Sequence, residues 1–157
     1  HVIGYSFGSI IVLDSLFPEN SEPGPRFKRI KKIVTIGCPF DFIRTYWIDY
    51  FEKRASIEGF PHGWLNIYAP ADILSSDFKD VDSEGVAPDR GVGIKSGGVK
   101  IPDNFLYGHS KPLSEYGWVE RLMLIGFRNH DRYLENGSAG CFREVVRELY
   151  KDHAALK

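Results

Sequence analysis

The chain has 157 residues, of which 43% are hydrophobic and 14% aromatic. That is one domain's length and too apolar for a disordered segment. A net charge of −1 gives no electrostatic footprint for nucleic acid, two cysteines are too few for a disulfide framework, and no apolar run reaches the roughly 18 residues of a membrane-crossing helix.

Residues 1–5 read as a buried strand, and residues 8–17 as a helix that Pro18 ends. Between them lies Gly4-Tyr5-Ser6-Phe7-Gly8, a G-x-S-x-G pattern. Strand, tight turn, then helix is the setting in which this pattern marks a nucleophile elbow. Gly4 and Gly8 are expected to leave room for a strained turn, because glycine has no Cβ. The helix start aims free N–H groups and a positive dipole end at Ser6. An oxyanion forming on an acyl group is stabilised there, with the Phe7 N–H as one donor. The plainer alternative is a Gly-rich strand–helix turn of some other α/β protein. The flanking apolar runs, lying where an elbow needs them, favour the first reading.

Residues 18–26 are a loop by composition. The basic cluster Arg26, Lys28, Arg29, Lys31 and Lys32 reads as solvated charge leading into a strand. That strand spans Lys31 to Cys38, a nearly continuous β-branched run of the kind found in parallel strands covered on both faces. Cys38, at its end, reads as a small buried hydrophobe. Residues 41–55 return to helical spacing, with a dense aromatic set of Phe40, Phe42, Tyr46, Trp47, Tyr50 and Phe51. Core plus helix surface is the simpler reading, and a cap over an apolar substrate the sharper one.

Trp64 to Ala69 is a third strand, stopped by Pro70. From Ser75 to about Pro112 the chain is polar, with one strand near Val99–Leu106. Residues 113–127 fit strand or helix equally. Ser138 to Tyr150 is an amphipathic helix with Phe142, Val145, Val146 and Leu149 on one face and Ser138 or Gly137 as cap. Strands alternating with helices predict an α/β fold, a parallel sheet flanked by helices.

The pentapeptide at 4–8 and its setting resemble the α/β-hydrolase superfamily, specifically its lipase- and esterase-like serine hydrolases. In that family the elbow follows the fifth strand, whereas here it begins at residue 4 and no initiator Met precedes it. The resemblance therefore implies that residues 1–157 are the C-terminal part of one α/β-hydrolase domain, starting at the nucleophile-elbow strand, with 75–112 as a polar loop insertion. It also implies that the second oxyanion donor comes from a loop after the third strand, which this stretch of sequence does not contain.

A serine hydroxyl needs a base within hydrogen-bond reach, and the base needs an orienting partner. The family's chain order is Ser, then Asp or Glu, then His. Asp72 stands just past the strand ending at Tyr68, where the resemblance puts the acid; an ordinary turn aspartate is the alternative. Asp77, Asp80 and Asp41 are the fallbacks. Of five histidines, His1 and His62 violate the order and His153 sits in the last helix turns. His130, with Tyr133 three residues on as in lipase-like members, is favoured over His109, and a surface-loop histidine is the alternative for either.

Other motifs fall short. Asp80-Val81-Asp82-Ser83-Glu84-Gly85 imitates a calcium loop, but Gly91 stands where a bidentate Glu is required. Gly91 to Gly97 has neither dinucleotide nor phosphate-loop spacing, and no His/Cys group has metal-ligand spacing, so no cofactor is expected. The resemblance implies a Ser6–His130–Asp72 triad cleaving carboxylic esters through an acyl-enzyme, acting on a small-molecule ester or lipid-like substrate. A thioesterase or acyltransferase would use the same residues. A non-catalytic hydrolase-like protein that binds a ligand or partner is the alternative from another class.

Overall fold

Short runs holding β-branched or aromatic residues make the strands, and the side on which each residue points decides which helices cover it. The structure is a computed structural model describing residues 1–19, 29–47, 49–51, 54, 63–69, 72–78, 103–106, 117–119, 130–134 and 139–154. The strands are β1 (Val2–Tyr5), β2 (Lys32–Ile36), β3 (Gly63–Tyr68) and β4 (Asp103–Leu106). They form one parallel sheet in the order β1-β2-β3-β4, with Val2 opposite Ile33, Ile33 opposite Trp64, and Leu65 opposite Asp103. The helices are α1 (Phe7–Leu16), α2 (Phe40–Tyr46) and α3 (Ala139–Ala154), and a 3-10 turn covers Asp131–Leu134. A parallel sheet flanked by helices is thus the architecture, as the alternating pattern predicts.

Side chains alternate across a strand, and the core divides accordingly. Ile33 and Trp64 face α1 and α2, packing with Ile10, Leu13, Leu16, Phe17, Phe40 and Ile43. Val34, Ile36, Leu65 and Ile67 face the other way, onto Tyr133, Cys141 and Val145. Each fully buried Leu or Ile stabilises by about 1.5–3 kcal/mol through area removed from water. α3 presents Cys141, Val145 and Leu149 to the sheet, a spacing of four residues that lines one helix face. Cys141 therefore belongs to the face expected from Val145 and Leu149. The Phe142 side chain and the proposed caps at 137 and 138 lie outside the described residues.

Several expectations change. Among the described residues β1 borders the sheet and Ile3 is 47% exposed, so residues 1–5 are not buried there as expected. The helix expected over 41–55 ends at Tyr46, and residues 49–51 are a turn. Its aromatic set divides, with Phe40 and Phe51 buried and Phe42, Tyr46 and Trp47 exposed. Lys32 is not solvated: its ammonium donates to the main-chain oxygen of Glu148 at 3.0 Å and pairs with Oε2 at 3.1 Å, tying β2 to α3. Within 75–112, the strand expected near Val99–Leu106 is present as Asp103–Leu106, while Ser76 and Phe78 are buried. Of the ambiguous stretch 113–127, only 117–119 are described, with Trp118 and Val119 helical and exposed.

The loop after β3 is anchored by a buried polar network. Trp64 Nε1–H donates to Thr35 Oγ1 (3.1 Å), Thr35 Oγ1 donates to Asn66 Oδ1 (2.9 Å), and Asn66 Nδ2 donates to the Ser76 carbonyl (2.8 Å). The Ser76 N–H donates to the Cys38 carbonyl (3.0 Å), and Ser76 Oγ accepts the Asp41 N–H (2.7 Å). Buried polar atoms paired this way avoid the cost of desolvation without a partner. Phe78 adopts φ 59 yet is fully buried against Phe40 and Trp64. The segment carrying Asp72 is therefore fixed at both of its described ends.

Candidate active site

The site lies at the C-terminal ends of the parallel strands, where open α/β sheets place their ligands. Ser6 directly follows β1 and precedes α1. Its N–H donates to the Ile36 carbonyl at 2.9 Å, continuing the β1–β2 pairing through the turn. Its backbone has φ 53 and ψ −134. A non-glycine residue in such a region carries strain of order 1–3 kcal/mol. The turn is held because α1 packs tightly behind it: a Cβ on Gly4 would stand 2.6 Å from Ser9 Cα. Gly8 differs from expectation, since a Cβ there meets nothing within 4 Å among the described residues. Gly4 alone supplies the close approach.

Asp72 lies past the end of β3 in a turn closed by its own N–H donating to the Ala69 carbonyl at 3.0 Å. The carboxylate is buried and accepts three hydrogen bonds. Oδ1 accepts the Leu74 N–H (3.0 Å), while Oδ2 accepts from His130 Nδ1 (2.8 Å) and from the Tyr133 hydroxyl (3.0 Å). A carboxylate has no proton to give, so Nδ1 is the donor of the His130 pair. Nε2 then carries the lone pair, and it lies 2.6 Å from Ser6 Oγ, positioned to accept the hydroxyl proton.

Ser6, His130 and Asp72 are thus brought together across 124 and 58 residues of sequence. Asp41, in the first turn of α2, and Asp77, half-buried beyond Asp72, are not the partner of His130 Nδ1. Asp80 and His109 lie outside the described residues.

Tyr133 is fully buried. Burial, and next the charge of Asp72, push its phenol well above the usual range, so it stays protonated and donates. The His130 ring is enclosed on its other sides. Tyr5 stacks on it with centroids 5.4 Å apart and 18° between planes, and Tyr133 meets it edge-on at 6.3 Å. Beneath lies Gly37, just past β2, at φ +56. Tyr5 and Gly37 carry no site role in the sequence reading. The signals for them were a ring inside the G-x-S-x-G pattern and a glycine ending a strand beside it.

Phe7 opens α1, so its N–H lies in the first helical turn, where no carbonyl of the helix can accept it. With the helix dipole behind it, that N–H is available to an anion forming beside Ser6. The Phe7 ring is 47% exposed and packs edge-to-face on Phe42 at 6.4 Å, and Phe42 continues onto Tyr46 at 5.1 Å. An aromatic strip therefore runs from beside Ser6 along α2. The Cys38 thiol is fully buried, and burial pushes it far above the ordinary thiol range, which keeps it un-ionised and inert. No group of His, Cys, Asp or Glu among the described residues is placed to hold a metal ion, and no helix among them is long and apolar enough to cross a membrane.

These features define an α/β protein with a hydrogen-bonded Ser–His–Asp group at the strand ends. The chain matches no protein-family model, no curated protein and no solved structure.

Proposed function

We propose that this chain is a serine hydrolase of the α/β-hydrolase type that cleaves carboxylic esters, residues 1–157 forming the elbow-containing portion of such a domain. One observation carries the reading: a serine held at φ 53 whose hydroxyl lies 2.6 Å from His130 Nε2, while Nδ1 of the same ring is bonded to Asp72 at 2.8 Å. Strain at the serine, a base in reach and a buried orienting carboxylate have no joint structural purpose, and together they are what a weak hydroxyl nucleophile requires.

In the proposed reaction Ser6 Oγ attacks the ester carbonyl and its proton passes to His130 Nε2. Asp72 keeps Nδ1 protonated and stabilises the imidazolium that forms. The carbonyl oxygen becomes an oxyanion, which the Phe7 N–H accommodates. Collapse breaks the bond to the alcohol, which leaves with the proton from Nε2. Water then enters, gives its proton to Nε2 and attacks the acyl-Ser6 ester, and the acid is released as Ser6 recovers its proton. A thioester or an acceptor alcohol in place of water would pass through the same groups. The exposed ring of Phe7, next to Ser6 in the chain, and those of Phe42 and Tyr46 that continue from it support an apolar acyl group or lipid-like ester as substrate.

Reaction with a fluorophosphonate probe tests the proposal. Covalent labelling is expected in the parent chain and absent in Ser6→Ala, with p-nitrophenyl ester hydrolysis lost in parallel. Labelling that persists in the variant removes Ser6 as nucleophile. No labelling and no turnover in a folded parent favours the non-catalytic, ligand-binding reading.

A further inference from the structure

The hydrogen bond that His130 Nδ1 donates to Asp72 holds the ring at one atom. A ring held at Nδ1 alone still pivots about that bond, and a swing of its far edge carries Nε2 away from Ser6. Something must hold the face of the ring and the backbone that bears it. Tyr5 does both. Its ring lies 5.4 Å from the imidazole at 18° between planes, and its hydroxyl donates to the His130 main-chain oxygen at 2.6 Å.

The contact spans 125 residues of sequence. Tyr5 is also the last residue of β1 and the immediate neighbour of Ser6. Its backbone is set by pairing with Ile36, and its ring is braced edge-on by Tyr133 at 6.4 Å. The base is therefore registered against the same peptide that carries the serine.

We propose that Tyr5 is a positioning residue that sets the His130 imidazole over Ser6, its ring fixing the plane of the imidazole and its hydroxyl fixing the main chain at residue 130. The inference rests on reading Ser6, His130 and Asp72 as a catalytic group. The ring has a second effect within that role. When Nε2 takes the serine proton, the imidazolium lies within the roughly 6 Å over which an aromatic face attracts a cation. That attraction exists only after proton transfer, so the loss on removing the ring falls on kcat rather than KM.

Tyr5→Leu and Tyr5→Phe in the full chain separate the parts. Both are followed by ester hydrolysis, melting temperature and the NMR signals of the His130 ring. Tyr5→Leu is expected to lower kcat on the order of 100-fold with KM held. Its His130 ring protons move as the shielding of the stacked ring is lost. Tyr5→Phe keeps the ring and its ring-proton shifts, lowers the melting temperature slightly through the lost hydrogen bond to the His130 main chain, and loses about tenfold in kcat.

Unchanged His130 ring signals in Tyr5→Leu overturn the proposal. If that variant does not fold, a folded Tyr5→Phe with the parent kcat overturns it instead. An inert parent chain would defeat the hydrolase reading alone, because the ring signals report the Tyr5–His130 stack without turnover.

Discussion

Gly37 and His130 lie so close that a Cβ on the glycine would press on the imidazole. A Cβ on Gly37 would stand 3.1 Å from His130 Cε1, 3.3 Å from Nδ1, and 3.0 Å from Cε2 of Tyr133. The backbone there has φ +56, the left-handed region in which a side chain costs roughly 1–2 kcal/mol. Gly37 is the first residue past β2, and its N–H donates to the Ile67 carbonyl at 2.9 Å, so the backbone cannot retreat without losing sheet pairing. The neighbours would have to move instead, and both of them hold Asp72.

Gly37→Ala is therefore expected to lower kcat for ester hydrolysis by on the order of 10- to 100-fold, since displacement of a catalytic group by a fraction of an ångström to one ångström has effects of that size. Stability falls by about 1–2 kcal/mol from the backbone alone. A variant with parent kcat and a clear fluorophosphonate signal would show that the His130 ring is not confined from below.

The two donors to Asp72 Oδ2 make separable predictions. Asp72→Asn replaces an acceptor-only group by one that also donates, so the tautomer of His130 is no longer enforced. Turnover is expected to fall by about 10³- to 10⁴-fold with the fold retained. Tyr133→Phe leaves the ring packing in place and removes one bond to a charged group, worth about 1.5–3 kcal/mol. Urea unfolding should show that loss as a lower midpoint at unchanged slope. A Tyr133→Phe midpoint equal to the parent's would mean that the hydroxyl adds nothing to holding the carboxylate.

The aromatic strip beside Ser6 predicts a chain-length preference. Phe42 packs against Phe7 and Tyr46 and is 40% exposed, so Phe42→Ala removes apolar surface at the site without opening the core. For esters of long acyl chains, kcat/KM should drop by about tenfold, the equivalent of roughly two buried methylenes. For acetate esters it should hardly change. Equal losses on both substrates would point to a shift of Ser6 rather than to an acyl contact.

Glu148 predicts a pH dependence of stability. Partial burial raises the affinity of its carboxyl for protons, but hydrogen bonds from Lys151 and then Lys32, with their charges, outweigh this and hold it below its ordinary value of 4.5. A depressed carboxyl binds protons more weakly in the folded chain than in the unfolded one. Its contribution is therefore complete above about pH 4.5 and is lost as the pH falls below that value. Glu148→Gln should lower the melting temperature at pH 7 and narrow the gap to the parent as the pH approaches 3. A gap that stays constant would show that the Lys32 tie between β2 and α3 does not depend on the charge.

The amino-acid sequence determined by itself whatever depends on near neighbours along the chain. The β-branched run ending at Ile36, the helix following Ser6 and the stripe Val145–Leu149 all stand in the structure, because each depends on residues that are near neighbours along the chain. The strained turn was legible too, since Gly4 is five residues from Ser9, whose helix backbone it must approach.

Tertiary structure decided which side chains meet above the strand ends. No local pattern separates Phe40 and Phe51, which are buried, from Phe42, Tyr46 and Trp47, which are exposed; the placement of the sheet does. Nor does any window of sequence bring Tyr5 onto His130, Tyr133 onto Asp72 or Gly37 beneath them. Those contacts span tens to more than a hundred residues, and they form because parallel strands bring the loops at their C-terminal ends to one edge of the sheet.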